Sequence, residues 1–175
     1  NLDSRAYATM FFNDPYFNDG EGRIYGFEYS DLFDENDEIN RCFRKYMPDD
    51  MQKLKQSYTS TNVPLMRYAN VLLMQAEIHN EQGHPELAAP LVNDIRKVHG
   101  DMPEISGDSY DFIKAQIEHE RLMEFALENY RFYDLRRWGK LDEALHAAGR
   151  VNFHSEKHAL LPIPLMEIQS NNNID

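Results

Sequence analysis

The sequence predicts a mainly α fold: a tetratricopeptide-like helical hairpin with further helices, a loop-rich N-terminal part, and an extended, proline-containing C-terminal strap. Three observations predict it. Apolar residues recur at steps of three and four from Leu65 to Val98, the period of one helix face. Gly83 and Pro85 stand close together inside that stretch, where one helix would stop and the next begin. The first 62 residues carry Pro15, Gly20, Gly22 and Gly26 among rings and acids, with no sustained helical period.

Residues 1–62 are read as irregular. Asp19-Gly20, ahead of the alternating RIYGFEY, is the signal of a short hairpin. The acidic DLFDENDEIN is expected to be a solvated loop or a helix start. Residues 63–100 form the helical hairpin. Its first stripe is Leu65, Tyr68, Leu72, Ala76 and His79, ending near Gln82, with Gly83 in the left-handed position just beyond. Pro85 opens the second helix, whose stripe Leu87, Leu91, Ile95 and Val98 runs to Gly100. So short a turn makes the two helices antiparallel. Ala76, Gly83 and Ala88 are small where the backbones would approach.

Residues 108–148 are read as charged helices. Asp108 or Ser109 caps a helix with the stripe Tyr110, Ile113, Ile117 and Phe125, reaching about Glu128. A further helical stretch, containing Arg136 and Trp138, is expected to run to Ala148. In residues 149–175, Pro162 and Pro164 forbid a regular helix through them. That tail is read as a strap with a short turn at PLMEI.

A chain of 175 residues has room for one ordinary domain with a core. Thirty acids against eighteen bases give a net charge of −12. That balance opposes binding to phosphate backbones, so no nucleic-acid partner is expected. Cys42 is the sole cysteine, which excludes an internal disulfide and a thiolate metal site. Basic neighbours could activate it, but a half-buried, inert thiol is the plainer reading. No apolar run approaches the roughly 20 residues that span a bilayer. There is neither a Gly-x-Ser-x-Gly elbow nor a phosphate-cradling glycine loop.

The densest chemistry lies in ERLMEFALENYRFYDLRRW, residues 120–138. Arg121 falls on the stripe 113, 117, 121, 125. Arg121 with Glu124, Glu128 with Arg131, and Arg131 with Asp134 are each three apart, close enough to meet on a helix. Acids held among arginines keep low pKa values and make poor proton donors, so these five residues are read as a structural ion-pair lattice. Glu81 with His84, and Glu143 with His146, match the Glu-x-x-His spacing of di-iron bundles. With 30 acids and seven histidines such matches arise by chance. Asp34, Asn36, Glu38 and Asn40 imitate a calcium loop, but Ile39 and Lys45 replace its glycine and closing glutamate. A looser calcium site stays open as an alternative; no metal or cofactor is predicted. Rings crowd the N-terminal part, and rings beside polar groups suit sugar stacking. The expected ligand contacts are Tyr16, Tyr25 and Tyr29, with Asn18 and Arg23 as polar partners. The bland alternative is that these rings anchor loops onto the helices.

In order, DSRAYATM, RKY, PLMRYANVLLMQAEIHNEQG, LVNDIRKVHG, IEHERLMEFALENYRFYDLRRWGKL and LLPIPLMEIQSN are similar to segments of one family. The chain resembles the C-terminal region of SusD/RagB-type outer-membrane proteins of Bacteroidetes. It departs from their pattern at Ser4, where they have proline, at Asn70, where they have glutamate, and at Asn129, where they have glycine. Asparagine is the best non-glycine residue for a left-handed turn. The resemblance implies a helical fold with tetratricopeptide-like hairpins and a loop-rich ligand-binding portion. It implies no catalysis. The expected role is capture of oligosaccharides, sometimes peptides, at the outer-membrane surface and delivery to a SusC-like TonB-dependent transporter. An N-terminal lipid outside this fragment would be the anchor, and the chain is expected to be a C-terminal piece. The rivals are a tetratricopeptide-type interaction scaffold or peptide binder, and a carboxylate-based glycoside hydrolase.

Overall fold

The periodic segments fold as helices, and the N-terminal aromatic segment folds around its own rings. The computed structural model describes residues 3–18, 22–34, 42–48, 55 and 61–171. It divides into two compact units, Asn1–Glu128 and Asn129–Asp175.

In the first unit, α1 (Ser4–Thr9) leads into β1 (Met10–Phe11), followed by α2 (Pro15–Asn18) and α3 (Tyr29–Leu32). Strand β2 (Cys42–Phe43) pairs antiparallel with β1, Met10 opposite Phe43 and Phe11 opposite Cys42. The long helices are α4 (Tyr68–Glu81), α5 (Pro85–Gly100) and α6 (Tyr110–Glu124), each packed against the other two. The second unit holds α7 (Arg131–Arg137), α8 (Leu141–Ala147), α9 (Ser155–His158) and α10 (Leu165–Ser170). The architecture is mainly helical.

The punctuation of the hairpin is where the residues placed it. Gly83 has φ +82°, and the amide of His84 donates to the His79 carbonyl at 2.9 Å, a Schellman turn that only a residue free of Cβ strain closes cheaply. Pro85 starts α5. Ala76 and Ala88 are fully buried, so the two backbones do approach closely.

The registers differ from the expected stripes. Leu65 and Tyr68 are 91% and 74% exposed, and the buried face of α4 is Ala69, Asn70, Leu73, Ala76 and Asn80. On α5, Leu87 and Val98 are exposed while Ala88, Val92, Ile95 and Arg96 are buried. The cause is polar burial. Asn80 donates to the Tyr110 carbonyl at 3.1 Å, and Asn70 accepts from Arg121 at 2.9 Å. A buried polar group with a partner is tolerated, but to a hydrophobicity count it marks the wrong face.

Helix α6 carries Ile113 and Ile117 into the core, and Ser109 Oγ accepts the Phe112 amide at 3.3 Å as its cap. It ends at Glu124, short of the expected Glu128, and Leu127 and Asn129 take positive φ of 67° and 64° in the turn that follows. The expected single stretch to Ala148 is broken at Gly139, φ +70°, which separates α7 from α8. In the tail, Pro164 caps α10 rather than interrupting it. Two short helices interrupt the expected strap: α9, and α10 where a short turn at PLMEI was expected. The N-terminal hairpin turns at Tyr25-Gly26, whose φ values are 55° and 90°, between the bridged Ile24 and Phe27; Asp19-Gly20 lies outside the described residues. Cys42 is exposed rather than half-buried.

The register correction is testable by thermal or urea unfolding. Leu73→Ala removes a fully buried side chain and is expected to cost about 2–5 kcal/mol. Leu65→Ala is expected to change stability by less than about 0.5 kcal/mol. An equal loss at Leu65 would restore the stripe inferred from spacing.

Candidate functional site

Two features of the first unit concentrate polar chemistry: a buried row of carboxylates and an open cavity walled by aromatic rings. The row is Glu120, Glu124 and Glu128, four residues apart, whose side chains are 0%, 4% and 3% exposed. Glu120 accepts from Arg5 Nη1 and, at 3.3 Å, from Arg96 Nη1. Glu124 accepts from Arg67 Nη1 at 2.6 Å and Arg5 Nη1 at 3.3 Å, and lies 2.9 Å from His99 Nδ1. Glu128 takes Lys45 Nζ at 2.6 Å and a forked contact from Arg67 at 2.7–3.1 Å. Asp3 completes the group by holding the other edge of Arg5.

Each cation arrives from a different segment: Arg5 from α1, Lys45 from just after β2, Arg67 from the residue before α4, and Arg96 from α5. Lys45 and Arg67 also donate to the carbonyls of Glu124 and Ala126. Those contacts satisfy open carbonyls at the end of α6. Burial works against the charge on Glu128, but the hydrogen bonds from Arg67 and then Lys45 outweigh it and hold its pKa below the ordinary value. For Asp3 the burial cost is likewise overcome by Arg5. Arg5 and Arg67 resist deprotonation: burial opposes their charge, and the hydrogen bonds they donate to Asp3 and Glu120, or to Glu128 and Glu124, more than offset it.

The expected pairing within α6 is therefore redirected. Glu124 takes Arg5, Arg67 and His99 instead of Arg121. One residue of helix turns a side chain by about 100°, so Arg121 points off the carboxylate row, donates to Asn70 and lies 5.1 Å over the Phe125 ring. Arg131 and Asp134 belong to the second unit, where Arg137 Nε donates to Asp134 at 3.0 Å. The cations that the five-residue lattice lacked were visible in DSRAYATM and RKY, but nothing in their spacing linked them to residue 120.

The cavity, about 700 Å³ and open to solvent, lies beside the ring-rich hydrophobic cluster Phe11, Phe17, Ile24 and Tyr29. Tyr16, Arg23, Tyr25, Arg44 and Tyr46 are on its wall. Tyr16 is 37% exposed, with its ring 4.8 Å from Tyr7 and 4.9 Å from Phe17. Gly22 makes room for it, because a Cβ there would sit 2.0 Å from Tyr16 Cε1. Tyr25 donates its hydroxyl to the Pro48 carbonyl at 2.9 Å. Arg23 pairs with Glu28 at 2.5 Å. Arg44 lies 5.7 Å from the centres of both Phe11 and Phe17 and donates to the Tyr7 carbonyl.

Of the expected contacts, Tyr16, Arg23 and Tyr25 come together on this wall. Asn18 is set into the backbone instead, accepting the Ser30 amide and donating to Asn13. Tyr29 is corrected outright: at 2% exposure, with Phe33 4.7 Å away, it is core and faces no ligand. A ring on a loop beside polar groups suits sugar stacking, but Tyr29 begins α3 and its ring is taken into the core. Arg44 and Tyr46 are the wall residues that spacing did not single out. Among the described residues no group of three His, Cys, Asp or Glu side chains is placed to hold a metal. Asn36, Glu38 and Asn40 of the calcium-like pattern lie outside them. Glu81 is engaged by Tyr110 and Lys114, and His146 by the Phe153 carbonyl.

Residues 1–175 match the family profile described as the SusD family, SusD/RagB. Two SusD-like proteins of Formosa agariphila are similar: P38, 27% identical over 92% of this chain and 34% of its own length, and P2, 31% identical over 98% and 36%. The chain thus spans about a third of the length of the curated relatives it matches. Among solved structures, a SusD superfamily protein from Bacteroides vulgatus aligns with TM-score 0.70 at 28% identity, over 84% of this chain and 31% of that one. A SusD-like protein from Bacteroides fragilis aligns with TM-score 0.55 at 26% identity, over 81% and 29%.

Glu120→Gln leaves two buried guanidiniums short of a counter-charge and is expected to cost about 3–5 kcal/mol, read as a lower melting temperature. A loss under about 0.5 kcal/mol would remove the row from the stability of the unit. Acid is expected to act the same way. The pKa values of Glu128 and Asp3 are lowered from 4.5 and 3.8, so between folded and unfolded values the unfolded chain binds more protons. Stability is complete above those ordinary values and falls as pH drops through the folded ones. Melting temperatures between pH 6 and pH 3 check this, and Glu128→Gln should flatten the decline.

Proposed function

The chain belongs to the SusD family, and from that premise we propose that it binds oligosaccharides without catalysis at the outer-membrane surface and passes them to a SusC-like TonB-dependent transporter. The observation that carries the reading is the open cavity with Tyr16, Tyr25 and Tyr46 on its wall. Apolar sugar faces stack on such rings while hydroxyls meet polar groups beside them. Tyr16 is held ready by Tyr7, Phe17 and the bare backbone of Gly22, so little side-chain freedom is lost on binding. Hand-off, anchoring and the transporter partner concern a protein about three times the length of this chain, judged by its relatives.

Glycoside hydrolysis needs two carboxyl groups facing each other across a cleft, one of them free to donate a proton. The buried glutamates of α6 and of the turn after it stand in one row and are held by cations. That supports capture over cleavage. Tyr68, Val71 and Ile78 leave an exposed apolar edge on α4, which favours a second reading as a protein-docking face.

Affinity electrophoresis of the full chain against a panel of polysaccharides tests the proposal. Retention on at least one polymer is expected, with no new reducing ends released, and with at least a fivefold loss of retention in Tyr16→Ala at unchanged melting temperature. Release of reducing ends would establish a hydrolase. Co-purification with a porin, without retention on any saccharide, would favour the docking reading.

A further inference from the structure

We infer that the cavity takes an acidic oligosaccharide, one that carries carboxylate or sulfate groups, with Arg44 as its principal anion-binding residue. This rests on the capture reading above. The argument is the charge of the cavity wall. In a chain of net charge −12, Arg23, Arg44 and Lys45 stand on the wall, and none of the described lining residues is Asp or Glu. A wall of one sign beside a low-dielectric aromatic cluster focuses its field into the opening.

The three cations are not equivalent. Lys45 is turned inward to Glu128 and two carbonyls. Arg23 spends one amino group on Glu28 and is half exposed. Arg44 is different: among the described residues no carboxylate lies within ion-pair distance of it. One of its amino groups donates to the Tyr7 carbonyl, and its plane is near Phe11 and Phe17. Elsewhere in this unit Arg5, Lys45, Arg67 and Arg96 each hold a glutamate. A partly desolvated guanidinium favours an anion, and its planar fork suits a carboxylate or a sulfate on two donors. With Tyr16 and Tyr25 beside it, the wall pairs ring faces for the sugar with a charge for its substituent.

Binding of the full chain to a glycan array that carries neutral, uronic-acid and sulfated oligosaccharides in parallel tests the inference. Binding is expected to be confined to acid-bearing glycans, the uronic and sulfated arms showing which group is read. It should fall steeply at about 0.5 M NaCl, where screening acts over only a few ångström. Arg44→Gln is expected to weaken binding at least about tenfold, the order of one charged hydrogen bond. Arg44→Lys should retain part of it. Arg23→Gln, on an exposed side chain, gives a second reading should the Arg44 variants melt early. Binding to neutral glycans only, insensitive to salt and to both arginine variants, would overturn the acidic ligand while leaving capture intact. Binding to no glycan of any class would overturn both.

Discussion

Three glutamates in a row, along one helix and the turn beyond it, need cations, and meeting that need ties the first unit together. Glu120, Glu124 and Glu128 are buried almost completely, and a buried carboxylate without a partner is costly enough to unfold a marginal domain. Arg5, Lys45, Arg67 and Arg96 answer them from four separate stretches of chain. The full set reaches the row only when α1, the β1–β2 pair and the α4–α5 hairpin are all in place. The ion pairs are thus long-range by construction, spanning up to 119 residues for Arg5 and Glu124. Hydrophobic burial gives α4, α5 and α6 their mutual packing; the charge row dictates where the N-terminal segment attaches.

That attachment also positions the cavity. Helix α1 directs Arg5 into the carboxylate row, while Tyr7 lines the opening. Lys45 is pinned to Glu128, and its neighbours Arg44 and Tyr46 stand on the cavity wall as a result. The segments that identify the family and those that would meet a ligand are therefore mechanically continuous but chemically separate. One set is buried and saturated with partners. The other keeps ring faces and a guanidinium toward solvent. A stiff support beneath an open polar surface is what a binding site held in place by its scaffold requires.

The aromatic abundance of the N-terminal part divides along the same line. Phe11, Phe17 and Tyr29 make a small core of their own, and Tyr7, Phe12, Tyr25 and Phe33 pack against it. Edge-to-face and tilted ring pairs, such as Phe17 with Phe11 at 5.4 Å and Phe12 at 5.3 Å, give short helices and two-residue strands the burial they otherwise lack. Only the rim of that cluster is left for recognition. Nothing in the composition separates rim from core, because both are drawn from the same tyrosines and phenylalanines.

What could be read from residues alone was whatever depends on neighbours in the chain. Gly83 before Pro85, Ser109 as a cap, and Asn129 in a left-handed turn follow from backbone sterics within a few residues. The mainly helical class and the family follow from patterns of similarly short range. Packing had the decision elsewhere. It buried Asn70, Asn80 and Arg96 on faces that hydrophobicity assigned to water, and sank Tyr29 while leaving Tyr16 on the surface. It sent Glu124 to Arg5 and Arg67 instead of to Arg121 three residues away. The reason is common to all of these: a polar or aromatic side chain is placed by the partner it finds, and here the partners lie tens of residues distant, beyond any spacing rule.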